Sequence, residues 1–227
     1  MRIHADFSQM VMMKPENYRW VKSLRGEVDR VMLDRIGNEY ARATSLVQYP
    51  AKSTFPIHRH PLGEEILVLS GTFTENNQDH YPEGWYLRNP HNSLHQASSE
   101  HGTLLFVKLM QMSEQEQNQT RINTNDPLNW ISLGNSMRCP LYQSEFEMTY
   151  LEKLEPNQKF KNLSNHGIEL LILKGELNQG REIFPVGTWI RLPPQQHASF
   201  QVGHLGATLY IKTGHLSYAQ QQWLDQK

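Results

Sequence analysis

The sequence contains a single cysteine, Cys139, in 227 residues. One cysteine excludes an intramolecular disulfide and a zinc site built from a Cys-x-x-Cys pair. It also suits a reducing compartment, so we expect the protein to be cytoplasmic. No neighbouring motif indicates a nucleophilic role for this thiol.

The sequence also lacks an excess of charge of either sign and any long apolar run. Lys and Arg number 22, Asp and Glu number 23, and the formal net charge is -1. This balance provides no basic field for nucleic acid or for an anionic membrane, so we expect neither as a partner. No segment reaches the roughly 18 apolar residues of a membrane-spanning helix, and no signal peptide is recognisable.

Long helical periodicity is absent, and short β-rich segments take its place. They are rich in branched and aromatic side chains and end at Pro, Gly, Asn or Met, as in residues 44–49, 65–70, 84–88 and 103–109. This pattern favours an all-β sandwich or barrel. The interleaved charges of residues 27–35, Arg30 among them, suit solvated faces. A short helix is predicted at residues 219–224.

The second half of the chain repeats the first. Residues 63–71 match residues 167–175, residues 82–90 match 185–193, and residues 102–108 match 206–212, at an offset of about 104. Two copies of this length predict two similar β-barrels. The strands are apolar on both faces, so packing of one copy on the other, or a homodimer, would cover the outer face.

The first copy carries a candidate metal site. His58 and His60 stand at positions i and i+2, so on an extended chain their side chains point to the same side. Glu64 has the same parity and can join them if the chain stays extended. Imidazole nitrogens with a carboxylate oxygen form a ligand set for a transition metal.

The spacing of these three residues, followed by six further residues and then Gly71, resembles the first motif of the cupin superfamily. Residues 90–95 resemble the second motif, Pro-x-Gly-x-x-His, which ends here at His95. Asn92 replaces the glycine of that motif, and Asn tolerates a positive φ angle well. The wider pattern, over about residues 15–112, is similar to the cupin domain of ChrR-type anti-sigma factors.

The resemblance and the repeat together imply an all-β protein of two tandem cupin barrels, of the double-stranded β-helix or jelly-roll type. Residues 1–112 would form the metal-binding ChrR-like domain, 113–127 a linker, and 128–227 a degenerate second cupin domain. One divalent transition metal, Zn, Fe or Mn, would be bound in the first domain. Its predicted ligands are His58, His60, Glu64 and His95.

Glu65 competes with Glu64 for the role of the carboxylate ligand. Side-chain parity and the ChrR-like spacing both favour Glu64. Glu65 recurs as Glu169 in the second copy, which suggests a structural role such as an ion pair with Arg88 or Arg191. Strand residues facing the metal would line a pocket, with three candidates: Tyr86, Arg88 and Lys108.

The second copy lacks the metal motif. Asn162 and Ser164 stand where the two histidines are expected, and Ile168 replaces the glutamate. A metal-free barrel is the prediction, and an irregular site made from His166, Glu169 and His197 is the alternative. Five other histidines, at positions 80, 91, 101, 204 and 215, are expected to be solvated.

Three functions fit these observations. The first is a metal-dependent bicupin that binds a small molecule, as in iron dioxygenases of dicarbonyl substrates. The second is a ChrR-like zinc-binding sensor, although the chain has no room before the first cupin for the sigma-binding domain of that family. The third is a structural bicupin of the seed-storage kind, which the intact ligand set disfavours.

Overall fold

The computed structural model describes residues 1–23, 27–38, 40–162 and 164–217, and within them the chain is almost entirely β-structure. Two 3-10 helices are described, at Pro15–Asn17 and Pro127–Asn129. The strands, in chain order, are β1 (Arg2–Ile3), β2 (Val11–Met13), β3 (Val21–Lys22), β4 (Asp29–Gly37), β5 (Ala41–Thr54), β6 (His58–His60), β7 (Glu64–Glu75), β8 (Asp79–Pro82), β9 (Trp85–Asn89), β10 (Ser93–His95), β11 (Ala97–Leu109), β12 (Thr120–Asn123), β13 (Ile131–Leu133), β14 (Ser136–Gln143), β15 (Met148–Leu154), β16 (Lys159–Asn162), β17 (Ile168–Gln179), β18 (Glu182–Phe184), β19 (Trp189–Leu192) and β20 (Ala198–Thr213).

The first compact unit contains a nine-stranded antiparallel sheet and a small two-stranded one. The order in the large sheet is β1-β4-β5-β11-β7-β9-β12, with β3 beside β4 and β8 beside β7. The small sheet pairs β6 with β10. These two short strands carry the predicted metal motifs, so their pairing decides where the histidines lie.

The second compact unit repeats this strand order. Its nine-stranded antiparallel sheet runs β13-β14-β15-β20-β17-β19-β2, with β16 beside β20 and β18 beside β17. The central run β14-β15-β20-β17-β19 corresponds to β4-β5-β11-β7-β9 of the first unit. The prediction of an all-β protein with two tandem barrels is therefore confirmed.

Each unit buries its own apolar core, built from alternate positions of its strands. In the first unit Ile66 and Val68 of β7 belong to the core cluster, together with Phe55 and Phe73. In the second unit Leu170 and Ile172 of β17 do the same. Every second residue of a strand points to the same face, so this alternation identifies the inward side of each barrel.

One backbone contact recurs in both units at glycines of the repeat. Gly71 has φ +73°, and a Cβ atom there would lie 2.0 Å from the carbonyl oxygen of Gly102. Gly175 has φ +70°, and its Cβ would lie 1.9 Å from the oxygen of Gly206. Both the left-handed backbone and the close approach of the neighbouring strand require a residue without a side chain.

The two compact units divide the chain differently from the domain boundaries expected from the sequence. The first comprises Met1–Ala5 and Arg19–Asp126, and the second Asp6–Tyr18 and Pro127–Lys227. Residues 11–13 join the second unit because β2 pairs with β19, where Met13 lies opposite Trp189. The end of the expected linker is structured, since β12 pairs with β9.

Three further expectations concern a helix at residues 219–224, the charges of residues 27–35 and membrane-spanning segments. The predicted helix at residues 219–224 lies outside the described residues. The charges of residues 27–35 are not all solvated, because Asp34 and Arg35 are buried. None of the helices in the described part of the chain has the length and apolar character needed to cross a membrane.

Candidate metal centre

The small sheet of the first unit brings the two predicted motifs together. Strands β6 and β10 are antiparallel, with His95 opposite His58 and Ser93 opposite His60. Asn92 in the turn before β10 has φ +62°, the left-handed conformation expected of the residue that replaces glycine. Residues directly opposite on antiparallel strands have neighbouring side chains, so this register gathers all three histidines.

The three histidines form a compact cluster. Their ring centroids are separated by 4.5 Å between His58 and His60, 4.9 Å between His58 and His95, and 4.7 Å between His60 and His95. One nitrogen from each ring lies within 4.8 Å of the others. His60 and His95 are buried and His58 is half-buried. Among the described residues this is the one such group of three potential metal ligands.

Glu64 reaches the same cluster from the start of β7. Its Oε2 atom lies 3.4 Å from Nε2 of His60 and 3.4 Å from Nε2 of His95. The carboxylate is buried and also accepts a hydrogen bond from the side chain of Asn89, at 3.4 Å. Glu64 shares its strand face with Ile66 and Val68, so it points into the barrel, as its parity predicted.

Hydrogen bonds on the far side of two rings orient their free nitrogens towards the cluster. Nδ1 of His58 lies 2.8 Å from the carbonyl oxygen of Pro56, and Nδ1 of His95 lies 2.7 Å from Oε1 of Glu75. Each Nδ1–H therefore donates outwards and leaves the Nε2 lone pair facing inwards. An imidazole whose second nitrogen donates to a carbonyl or carboxylate is the usual arrangement for a metal ligand.

The protonation states of the histidines also suit metal binding. Burial lowers the pKa of His58 to about 4, although the nearby Glu64 acts in the opposite direction. Burial lowers the pKa of His60 to about 3, and the neighbouring His95 lowers it further. At neutral pH both rings are therefore uncharged and offer a lone pair. Burial also disfavours the charged form of His95, but Glu75 and Glu64 outweigh this and raise its pKa.

Glu75 connects the cluster to a network of polar groups that the sequence did not reveal. Its Oε1 accepts hydrogen bonds from His95 and from Asn89, at 2.7 and 2.9 Å, and its Oε2 pairs with Arg121 at 2.7 Å. Arg121 also donates to Oδ1 of Asn89, at 2.6 Å. Burial raises the pKa of Glu75, but its bonds to His95 and Arg121 outweigh burial and lower it to about 2.

The donor set fits a transition metal. Ligand atoms about 2.1 Å from a metal lie roughly 3 to 3.4 Å from each other in octahedral or tetrahedral geometry. Nε2 of His60 and Nε2 of His95 are 2.9 Å apart, and the oxygen of Glu64 is 3.4 Å from both. Two inward lone pairs at this separation repel each other unless a proton or a cation lies between them.

The strand face that points away from the cluster carries ion pairs and a hydrogen bond. Arg88 donates to Glu65 at 2.9 Å and also pairs with Glu116, so the expected ion pair of Glu65 is present. Lys108 donates to Thr44 at 2.9 Å on that same outer face. Tyr86 lies two residues before Arg88 on β9 and shares its face, so all three residues predicted to line a pocket face away from the histidines.

The second unit brings no comparable group together among its described residues. Glu169 accepts a hydrogen bond from the indole of Trp189 at 2.8 Å and lies 3.0 Å from Nε2 of His215. The alternative site with His166 and His197 is not assembled, because His166 is exposed and Nδ1 of His197 is 3.3 Å from the carbonyl of Asn162. His215 is buried rather than solvated.

Comparison with known proteins identifies the fold and the type of domain. The family model of the ChrR cupin-like domain matches residues 8–113. No curated protein matches the chain. Many solved structures do. The three described next are only 12 to 13% identical to this chain, so they show the fold alone.

Three of these solved structures have TM-scores between 0.66 and 0.75 with this chain. A Nostoc punctiforme protein provisionally assigned as a dioxygenase has a TM-score of 0.75 at 13% identity, covering 92% of this chain and 84% of its own. A Pseudomonas aeruginosa protein provisionally described as glyoxylate-induced has a TM-score of 0.70 at 12% identity, with coverages of 90% and 88%. An Escherichia coli pirin in complex with nickel(II) has a TM-score of 0.66 at 12% identity, with coverages of 91% and 99%. Together with the repeated strand order, these matches show that the chain has the cupin fold in two barrels and that its residues 8–113 resemble the ChrR cupin domain.

Proposed function

We propose that the first barrel binds one divalent transition metal through His58, His60, Glu64 and His95, and that this centre binds a small molecule in an oxygenase-type reaction. The observation that carries the proposal is the convergence of three imidazoles and one carboxylate, with the nitrogens of two rings 2.9 Å apart. Three neutral imidazoles and one carboxylate leave a divalent ion with net positive charge. Such a centre attracts oxygen ligands.

The chain's own residues would act mainly by orientation. Pro56 and Glu75 fix the outward nitrogens of His58 and His95, and Asn89 holds the carboxylate of Glu64. The buried cluster excludes bulk water from two of the three rings. A bound iron ion would supply Lewis-acid and electron-transfer chemistry to an oxygen-containing ligand.

A ChrR-like regulatory module is the second candidate, and the family match to residues 8–113 favours it. In this function the same four residues would hold zinc, and a small molecule bound there would act as a signal. Zinc has no redox chemistry, so this candidate predicts ligand binding without consumption of oxygen.

The test is elemental analysis of protein purified anaerobically without an affinity tag. One iron per chain, with oxygen uptake in the presence of a dicarbonyl compound, would support the oxygenase. One zinc per chain without oxygen uptake would support the regulatory module. Protein that takes up no metal from a buffered excess of iron, manganese or zinc would overturn the proposed centre.

A matched pair of variants assigns the metal to the first barrel. His60→Ala removes a buried nitrogen of the cluster, and we expect it to abolish stoichiometric metal binding. His197→Ala removes a histidine of the second barrel and should leave the metal content unchanged. Full metal content in the first variant, or half content in the second, would contradict the assignment.

A further inference from the structure

The first barrel contains a charged side chain that the proposed centre does not use. Arg30 lies on β4 directly opposite Val47 of β5, and Val47 is part of the inward-facing core cluster. Residues paired across two strands project from the same face of a sheet, so Arg30 points into the barrel. A positive charge on the inner face of a barrel is costly unless it has a partner.

The Phe55 ring lies close both to Arg30 and to the histidine cluster. The guanidinium carbon of Arg30 is 5.9 Å from the centre of the Phe55 ring, and that ring is 4.8 Å from the ring of His58. Burial lowers the pKa of Arg30, while the nearby Tyr49 and Glu64 act in the opposite direction. Glu64 also points into the barrel, so the guanidinium and this carboxylate face the same interior space.

No described residue neutralises Arg30 directly. Within the described part of the chain it forms no hydrogen bond and no ion pair within 4.0 Å, and its guanidinium lies over the Phe55 ring. The Tyr49 hydroxyl likewise has no hydrogen-bond partner among the described residues, although Tyr49 is buried. A guanidinium carries five N–H donors, so most of the binding capacity of Arg30 is unused.

The second barrel provides an internal comparison. Arg138 lies on β14, the strand that corresponds to β4, and is directly opposite Glu152 of β15. The two side chains form an ion pair at 3.3 Å, and the guanidinium carbon of Arg138 lies 4.0 Å from the centre of the Tyr150 ring. The barrel without the metal motif thus supplies a carboxylate for its inward arginine.

The two arginines occupy the same position in the repeat. Val47 pairs with Leu105 of β11, which pairs with Val68 of β7. Glu152 pairs with Leu209 of β20, which pairs with Ile172 of β17. Val68 and Ile172 are matched by the sequence repeat, so the partner of the arginine is valine in the first barrel and glutamate in the second.

We propose that Arg30 binds the carboxylate of a small organic acid whose other oxygen atoms lie at the metal centre. This inference rests on the proposed metal site, and it narrows the small molecules that bind there to organic acids. A guanidinium binds a carboxylate through two parallel hydrogen bonds, which also fixes the orientation of the ligand. The inner surface around Arg30 then combines one cation, the Tyr49 hydroxyl and the Phe55 ring.

The test compares acids with their uncharged amides. Protein loaded with cobalt(II) is titrated with pyruvate, oxalate and benzoylformate and with the corresponding amides, and dissociation constants are measured by calorimetry. We expect at least one acid to bind more tightly than its amide by about tenfold to a hundredfold, because a hydrogen-bonded charge pair is lost in the amide. Arg30→Gln should remove this preference without changing the cobalt content, and Arg30→Lys should retain part of it.

Arg138→Gln is the matched control, because it removes the equivalent arginine of the second barrel. Its preference for acids should equal that of the wild-type protein. Circular dichroism and thermal unfolding of each variant establish that it is folded, and the lysine variant preserves the test if glutamine destabilises the barrel. Equal affinity for acids and amides in a cobalt-loaded wild-type protein, or a preference that survives in Arg30→Gln, would overturn the inference and leave the metal site standing. Absence of cobalt at the site would overturn both.

Discussion

The side chain of Glu75 offers a quantitative test of how the histidine cluster is held. Glu75→Gln keeps the shape of the side chain but removes the negative charge between His95 and Arg121, each 2.7 Å from one of its oxygens. Folding shifts the pKa of this carboxyl from 4.5 to about 2. Each pKa unit corresponds to about 1.4 kcal/mol, so the charged form is favoured by roughly 3 kcal/mol.

Two measurements should detect this loss. The affinity of the protein for cobalt(II) or zinc, measured by competition with a chromophoric chelator at pH 7, should fall by about tenfold to a hundredfold, as for other groups that orient a metal-binding histidine. The free energy of unfolding of the metal-free protein should fall by up to about 3 kcal/mol. Because folding lowers this pKa, the carboxylate stabilises the fold above about pH 4.5, and its contribution is lost as the pH falls towards 2. The free energy of unfolding of Glu75→Gln should lack that part of the pH dependence.

Glu152→Gln is the matched control for this prediction. Glu152 is also a buried glutamate bound to an arginine, since it pairs with Arg138 at 3.3 Å, but it contacts no ligand histidine. Glu152→Gln should lower the stability of the second barrel and leave the metal affinity unchanged. Unchanged metal affinity in Glu75→Gln would refute the orienting role of Glu75, and an equal loss in both variants would assign the effect to stability alone.

Two further predictions concern the backbone and the single thiol. Gly71→Ala should lower the free energy of unfolding by at least about 2 kcal/mol in denaturant, because the new Cβ would lie 2.0 Å from the oxygen of Gly102. Gly134→Ala is the control: with φ +62° and nothing within 4 Å of the new Cβ, it should cost only about 1 kcal/mol, and equal losses in the two variants would contradict the role of the close approach. Burial raises the pKa of Cys139 to about 11. Iodoacetamide at pH 8 should therefore modify the unfolded protein and leave the folded protein essentially unmodified over the same time. Rapid labelling of the folded protein would contradict the buried position of this thiol.

The sequence predicted those parts of the site that depend on short-range spacing. His58 and His60 are two residues apart, and the strand geometry alone places them on one side of the chain. The turn before His95 needed a residue that accepts a positive φ angle, which Asn92 provides. The internal repeat predicted the duplicated barrel, because the same glycines and apolar runs recur in the same order.

The parts that escaped prediction depend on contacts between distant strands. Glu75 is 20 residues from His95 and 46 from Arg121, and no local pattern marks it as a partner of either. The charged neighbours of Arg30 in the sequence predict a solvated face, whereas the structure places Arg30 opposite the core residue Val47. The direction of the Arg30 side chain follows from the register of β4 against β5, which shifts between Met32 and Asp34. Such an irregularity reverses side-chain parity along a strand and cannot be recognised from composition.

The pairing of β2 with β19 has a consequence for the order in which the protein is made. Residues 11–13 are synthesised long before their partners at residues 189–191. At about 5 to 20 residues per second, this interval lasts roughly 10 to 40 s. The first unit ends at Asp126, so every residue of the histidine cluster is available before the second sheet can receive its edge strand. We therefore expect the proposed metal centre to assemble while the second barrel is still being synthesised, and the second barrel to complete its sheet only after residues 189–191 have been made.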